Sequence, residues 1–188
     1  MFGTAIDRMN GITIVTGSPG AGKTTLSDRT SKAHPHGLHL PADVFYTFPA
    51  HMISPILPEA HDQNGAVIAA VTRAAAAFAS RGYEVFVDGI VGPWFLPVVA
   101  AELGLAGIPV DYVILRVSLE QAIRRATTRA NPGAEAIVRH MHAAFEKLGA
   151  YESHVLDTTD LGVDEILVEF ARRRALGVFA LDLSRVRA

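Results

Sequence analysis

Cysteine is absent from this chain, so neither a disulfide framework nor a thiol nucleophile is available to it. A basic excess is missing too. Lys and Arg number 17 against 19 Asp and Glu, a net charge of −2, which counts against a nucleic-acid-binding surface. No apolar run reaches the roughly 20 residues of a membrane-spanning helix. The opening residues, Met1 to Arg8, have no signal-peptide core. No membrane partner is therefore expected, and the cytoplasm is the expected compartment. Internal repeats, low-complexity linkers and a G-x-S-x-G nucleophile elbow are lacking. The eight histidines show no zinc-site spacing. His34, His36 and His39 fall in a Pro/Gly-containing stretch, and His140 and His142, two apart, cannot share a ligand from one regular helix.

What is present is an apolar content of 49% in 188 residues, enough for the core of a single domain spanning 1–188. Short apolar runs alternate with helical patterns. Residues 11–16, 36–40, 83–87, 110–117 and 154–156 read as strands. Residues 22–32, 65–80, 94–103, 119–128, 134–148 and 164–174 read as helices. Ser118 is an expected N-cap, and Gly82 closes the alanine-rich helix before it. The tail from Val178 is left open between an edge strand and disorder. Alternation of this kind predicts an α/β domain with a parallel sheet, whose ligands lie beyond the carboxyl ends of the strands.

Gly17-Ser18-Pro19-Gly20-Ala21-Gly22-Lys23-Thr24 fits G-x-x-x-x-G-K-[ST] at every fixed position, with Thr25 following. A β-branched strand precedes it and a helix follows, which is the context of a phosphate-binding loop. The glycines let successive N–H groups turn inward on an anion, and the helix N-terminus adds partial positive charge. Lys23 would reach the β- and γ-phosphates, and Thr24 would offer a hydroxyl to Mg²⁺. A nucleoside triphosphate with Mg²⁺ is the expected ligand.

Phosphoryl transfer also needs a proton acceptor and positive charge at the γ-phosphate. Asp43, just past the second strand, can take a substrate proton or merely start a short helix. Asp88, at the end of the third strand, can hold Mg²⁺ or a substrate hydroxyl, or form an Asp-Gly turn. Arg125 and Arg129, four apart, share one helix face and suit phosphate; a solvated basic face is the alternative. Arg116 lies on the same expected rim. Asn131-Pro132-Gly133 offers a hinge, giving a lid over about 124–135. Residues 41–63 hold four prolines and many large apolar groups, a candidate acceptor region that Trp94, Phe45, Tyr46 and Phe48 could wall.

Gly17 to Thr24, Asp43, Asp88 and the Arg125-x-x-x-Arg129 pair, in this order, resemble the small P-loop kinases: gluconate kinase, shikimate kinase and especially chloramphenicol phosphotransferase. The stretch from Glu120 to Ala130, and His154-Val155-Leu156-Asp157-Thr158-Thr159, are also similar to the tunicamycin-resistance protein and to bacterial AAA-type ATPases. The resemblance spans about residues 10–172. It implies a three-layer P-loop NTPase fold, a five-stranded parallel sheet of order 2-3-1-4-5 with a short helical lid after the fourth strand. It further implies ATP as the nucleotide, Asp43 as the catalytic carboxylate, and Arg125 and Arg129 as lid arginines. Gly89 stands where true AAA machines carry a catalytic Glu, which argues against a mechanical ATPase. The expected activity is transfer of the γ-phosphate to a hydroxyl of a small organic molecule, with antibiotics among the candidates. The alternatives are a nucleotide-binding ATPase or toxin-like module without an acceptor, and a polynucleotide 5′-kinase.

Overall fold

A computed structural model describes residues 11–104, 106–127 and 134–186. Five parallel strands form one sheet in the order β2-β3-β1-β4-β5. They are β1 (Ile12–Gly17), β2 (Gly37–Pro41), β3 (Glu84–Asp88), β4 (Val110–Arg116) and β5 (Val155–Asp157). Among the described residues the helices are α1 (Lys23–Ala33), α2 (His61–Ala79), α3 (Leu96–Leu103), α4 (Leu119–Thr127), α5 (Ala134–Ala144) and α6 (Val163–Ala175). The three-layer architecture and strand order are those the kinase resemblance implies.

Side chains alternate across the pleat, so each central strand feeds two cores. Ile12, Ile14, Val85, Val87, Tyr112 and Ile114 bury against α2, α3 and α5. Val15, Phe86, Val113 and Leu115 bury on the other face with Leu26, Ala122 and Phe170. Each such side chain stabilises the fold by on the order of 1.5–3 kcal/mol relative to exposure. Because β1 and β3 are buried along their whole length, their carboxyl ends are fixed points.

The residues after β2 form a one-sided 3₁₀ turn, Ala42–Thr47, rather than an irregular loop. Its position depends on Gly89, where a Cβ would stand 2.7 Å from the Ala42 methyl. Ala42 thus seats directly on the end of β3. Helix α2 starts at His61, four residues before the expected Gly65, because a 3₁₀ turn at Pro58–Ala60 leads into it and Asp62 favours its first turn. At the far end Gly82 takes φ +88°, as the sequence required.

The tail is neither an edge strand nor disordered over the residues described. Short β5 pairs only with the upper half of β4. Below it, Ala180 makes an antiparallel bridge to Asp111, and Phe179, fully buried, stacks on Phe170 at 5.9 Å. Among the described residues no helix is long and apolar enough to cross a membrane.

Candidate functional site

The loop between β1 and α1 takes its shape from three left-handed glycines, Gly17 (φ +135°), Gly20 (φ +83°) and Gly22 (φ +96°). A Cβ at Gly17 would lie 2.2 Å from the Leu115 carbonyl oxygen, and one at Gly20 would lie 2.5 Å from that of Ala122. Those two glycines let the loop press against β4 and α4. Gly22 has no atom within 4 Å of a Cβ position, so its side of the loop stays open. Lys23 folds back over the loop, its Nζ donating to the carbonyls of Gly17 (3.0 Å) and Ser18 (3.1 Å). The ammonium is thereby held at the mouth of the cradle.

Beside it lies a cavity of about 390 Å³, lined by residues 20–26, Leu115, Arg125 and the apolar start of α6. Gly20, Ala21, Gly22, Lys23, Thr24 and Thr25 all face it. Arg125 enters from α4, its Nη2 donating to Gln121 Oε1 at 3.0 Å. Gln121 is fixed in turn by donating to the Thr159 carbonyl at 2.7 Å. Arg129 and the expected hinge at Asn131-Pro132-Gly133 lie outside the described residues. Arg116 ends β4, on the expected rim, but its guanidinium is engaged elsewhere. Its guanidinium donates to both carboxylate oxygens of Glu152, at 3.0 Å each, and to the Phe145 and Glu146 carbonyls. It ties the end of β4 to the turn after α5 and is not offered to the loop.

The carboxyl end of β3 carries the second group. Asp88 is buried, and Thr24 Oγ1 donates to its Oδ2 at 2.6 Å. His39 Nε2 lies 2.6 Å from Oδ1, and a carboxylate partner assigns the proton of that bond to the ring nitrogen. Sequence reading put residues 36–40 in a strand and gave His39 no role. It stands within β2, on the opposite face from Leu38 and Leu40, which is the signal that strand alternation offers. A hydroxyl and a carboxylate oxygen are hard donors of the kind Mg²⁺ takes, so the residues present fit that ion.

Asp43 sits in the first turn of the 3₁₀ segment, capped by Pro41, so it is not itself the N-cap. Its carboxyl is held above the usual Asp range by loss of solvent, an effect that Lys23 opposes and Asp88 reinforces. That balance places it within electrostatic reach of both the loop lysine and the β3 acid. Tyr46, one 3₁₀ turn on, is pushed up to about 12 by burial and then by the Asp43 charge.

Asp43 and Tyr46 open onto a second cavity of about 670 Å³. Its walls come from the 42–58 segment, the start of α2, Trp94 and Phe95, and α5. Of the aromatic wall expected from sequence, Tyr46 and Trp94 take part. Phe45 packs on the core instead, and Phe48 is 68% exposed, edge-on to it. Contributions that sequence reading missed are His61, stacked on Phe95 at 6.1 Å, and Ile137, His140 and Met141 of α5. Asn64 also lines it, donating Nδ2 to the Pro55 carbonyl at 2.8 Å.

A protein-family model described as "AAA domain" matches residues 12–148. Among curated proteins, none matches this sequence. Solved structures do. A sugar kinase from a Janibacter species superposes with TM-score 0.64 at 19% identity, covering 90% of this chain and 95% of its own. A gluconokinase from Sinorhizobium meliloti reaches TM-score 0.65 at 18% identity, over 95% and 94%. A shikimate kinase from Acinetobacter baumannii, in complex with shikimate, gives 0.61 at 17%, over 89% and 94%. At these identities the likeness is one of fold.

Proposed function

The chain belongs to the family of this AAA domain, and from that premise we propose that it is an ATP- and Mg²⁺-dependent phosphotransferase. It acts on a hydroxyl of a small organic molecule, antibiotics among the candidates, and works in the cytoplasm as a single domain. One observation carries the reading. The carboxyl of Asp43 lies on the wall of a large cavity yet is coupled electrostatically to the phosphate-loop lysine. A base reaching both a nucleotide site and a separate, roomy cavity is the arrangement group transfer needs; hydrolysis by water needs no such cavity.

In this reading the amides of residues 17–25 and Lys23 hold the phosphates. Thr24 and Asp88 hold Mg²⁺, which neutralises charge on the β- and γ-phosphates when bound. Asp43 accepts the acceptor's hydroxyl proton as the new O–P bond forms and the bond to the β-phosphate oxygen breaks, releasing ADP. Arg125, with Arg129 from a lid over about 124–135, offsets the charge spread over the transferred group. The kinases named among the structural neighbours support the class of reaction.

The test is phosphoester formation from γ-labelled ATP across a panel of alcohols. Acceptor-dependent ADP release that vanishes in Lys23→Ala is the expected result. ADP release that ignores every acceptor and is untouched by Asp43→Asn would sink the proposal in favour of an ATPase.

A further inference from the structure

We infer that the acceptor is an uncharged alcohol with a bulky apolar body, entering hydroxyl first, and that the cavity beside Asp43 discriminates against sugar acids and other anions. This rests on the phosphotransfer reading and specifies its substrate class.

Three observations carry it. First, among the described residues lining the cavity there is no Lys and no Arg; Asp43 is the one carboxylate, and the bases are the imidazoles of His61, stacked on Phe95, and His140. An anion seated there would lose its water without gaining a permanent cation and would face a like charge. Second, the lining is divided. Asp43 and Tyr46, three apart in a 3₁₀ turn, lie on one face, so the carboxyl and the phenol gather at one end. Ile56, Leu57, Trp94, Ile137 and Met141 supply most of the remainder, with Asn64 and the two histidines among them. An acceptor that satisfies both ends is amphipathic, its hydroxyl at Asp43 and its apolar mass against α5. Third, the apolar rim is left in water. Met52 is 51% exposed, Leu57 45% and Trp94 44%, a local cost that a ligand of matching surface removes. At about 670 Å³ the space suits a molecule of drug size.

Trp94 is the sole tryptophan and stands on the cavity wall, so its fluorescence reports on this cavity. The experiment titrates it, with ADP and Mg²⁺ present, using 1-phenylpropan-2-ol and 3-phenyllactate. The two share a body and a hydroxyl and differ by a methyl in place of a carboxylate. Gluconate and shikimate serve as further anions. Saturable quenching or shift by the neutral alcohol, at least tenfold tighter than by any of the acids, is expected. Equal or tighter binding of an acid, or no saturable response to the neutral alcohol, would overturn the inference. Leu57→Lys, at an exposed rim position where folding is checked by melting temperature, should swing the preference toward phenyllactate by about tenfold. An unmoved preference would place binding elsewhere and also overturn it. Phosphoester analysis separates the two levels. Binding of the alcohol without transfer from ATP counts against the kinase reading alone, whereas transfer confined to the acids counts against the cavity assignment alone.

Discussion

Strand β3 begins and ends on a buried carboxylate, and the fold treats the two in opposite ways. Glu84, 3% exposed, accepts from the Gly11 N–H and is ion-paired with Arg174, which also donates to Asp111 at 2.8 Å and lies over the Phe86 ring. Burial works against the Arg174 charge, but Asp111 and Glu84 outweigh it and hold the guanidinium firmly protonated. Asp88, 5% exposed and four residues on, is held by a hydroxyl and an imidazole. The first carboxylate has a resident cation; the second is held by groups that leave it able to meet a cation arriving with a ligand. One end of the sheet is closed by permanent charge pairing, and the other is the end that the proposed Mg²⁺ site would use.

The largest test of that contrast is Arg174→Met. It leaves Glu84 and Asp111 buried without their guanidinium, a loss expected at about 3–5 kcal/mol. Chemical denaturation should register it, while turnover per folded molecule stays at the parent level. A stability change within error would mean the amino end of the sheet tolerates bare carboxylates, and the contrast would fail there.

Asp88→Asn should do the reverse. Activity should fall by roughly a hundredfold, about 2.7 kcal/mol, and the melting temperature without Mg²⁺ should hold or rise. The stabilisation that Mg²⁺-ATP gives the parent protein should shrink in the variant, as measured by thermal shift. A stability loss comparable with that of Arg174→Met would make Asp88 a second structural acid.

How much of this contrast was legible in the sequence depends on distance along the chain. The loop from Gly17 to Thr24 was fully legible because its shape is local: three positive-φ glycines between a strand and a helix. Asp88 was legible because a polar residue ends an apolar strand. Arg174, 90 residues from Glu84 and 63 from Asp111, sits in a run of three arginines on α6, and nothing local marks which one turns inward. What Arg116 binds was illegible for the same reason. A strand-end arginine faces the rim by default, but its partners come from the turn after α5, set by the packing of α5 against β4. The acceptor region was legible as a segment, through its prolines and apolar groups, yet its opposite wall on α5 was not. A helix face shows its period in sequence and not the cavity it borders.

Asp43 sharpens the comparison in a third way, since its loss of solvent is not made good by its partners. Its carboxyl titrates higher in the folded chain than in the unfolded one. The stability it contributes is therefore complete below the ordinary Asp value and is lost as pH rises through the elevated folded value. At neutral pH the charge is a small liability, so Asp43→Asn should raise the melting temperature slightly. The same variant should lower kcat by about a hundredfold with nucleotide affinity unchanged by calorimetry. In the parent protein the acidic limb of the rate profile should lie above the ordinary Asp range and should vanish in the variant. A stabilised variant with undiminished kcat would remove Asp43 as the base while leaving the electrostatics intact.

His39 gives the smallest expected effect and the finest discrimination. Its Nε2 meets one oxygen of Asp88 while Thr24 meets the other, so the plane of the carboxylate is set by two contacts from two different elements. Removing one of them lets the carboxylate turn without removing its charge. His39→Ala should therefore raise the Mg²⁺ concentration needed for half-maximal activity by about tenfold, the usual size of an outer-contact effect on a metal ligand. The ATP requirement at saturating Mg²⁺ should stay as in the parent. His39→Gln, whose amide nitrogen can donate to the same oxygen, should recover part of the loss. A purely packing role for the ring would show itself differently: both variants would lose melting temperature, and neither would move the Mg²⁺ midpoint. In that case the exchangeable end of β3 would owe its geometry to Thr24 alone, and the opposition between its two carboxylates would rest on charge and not on orientation.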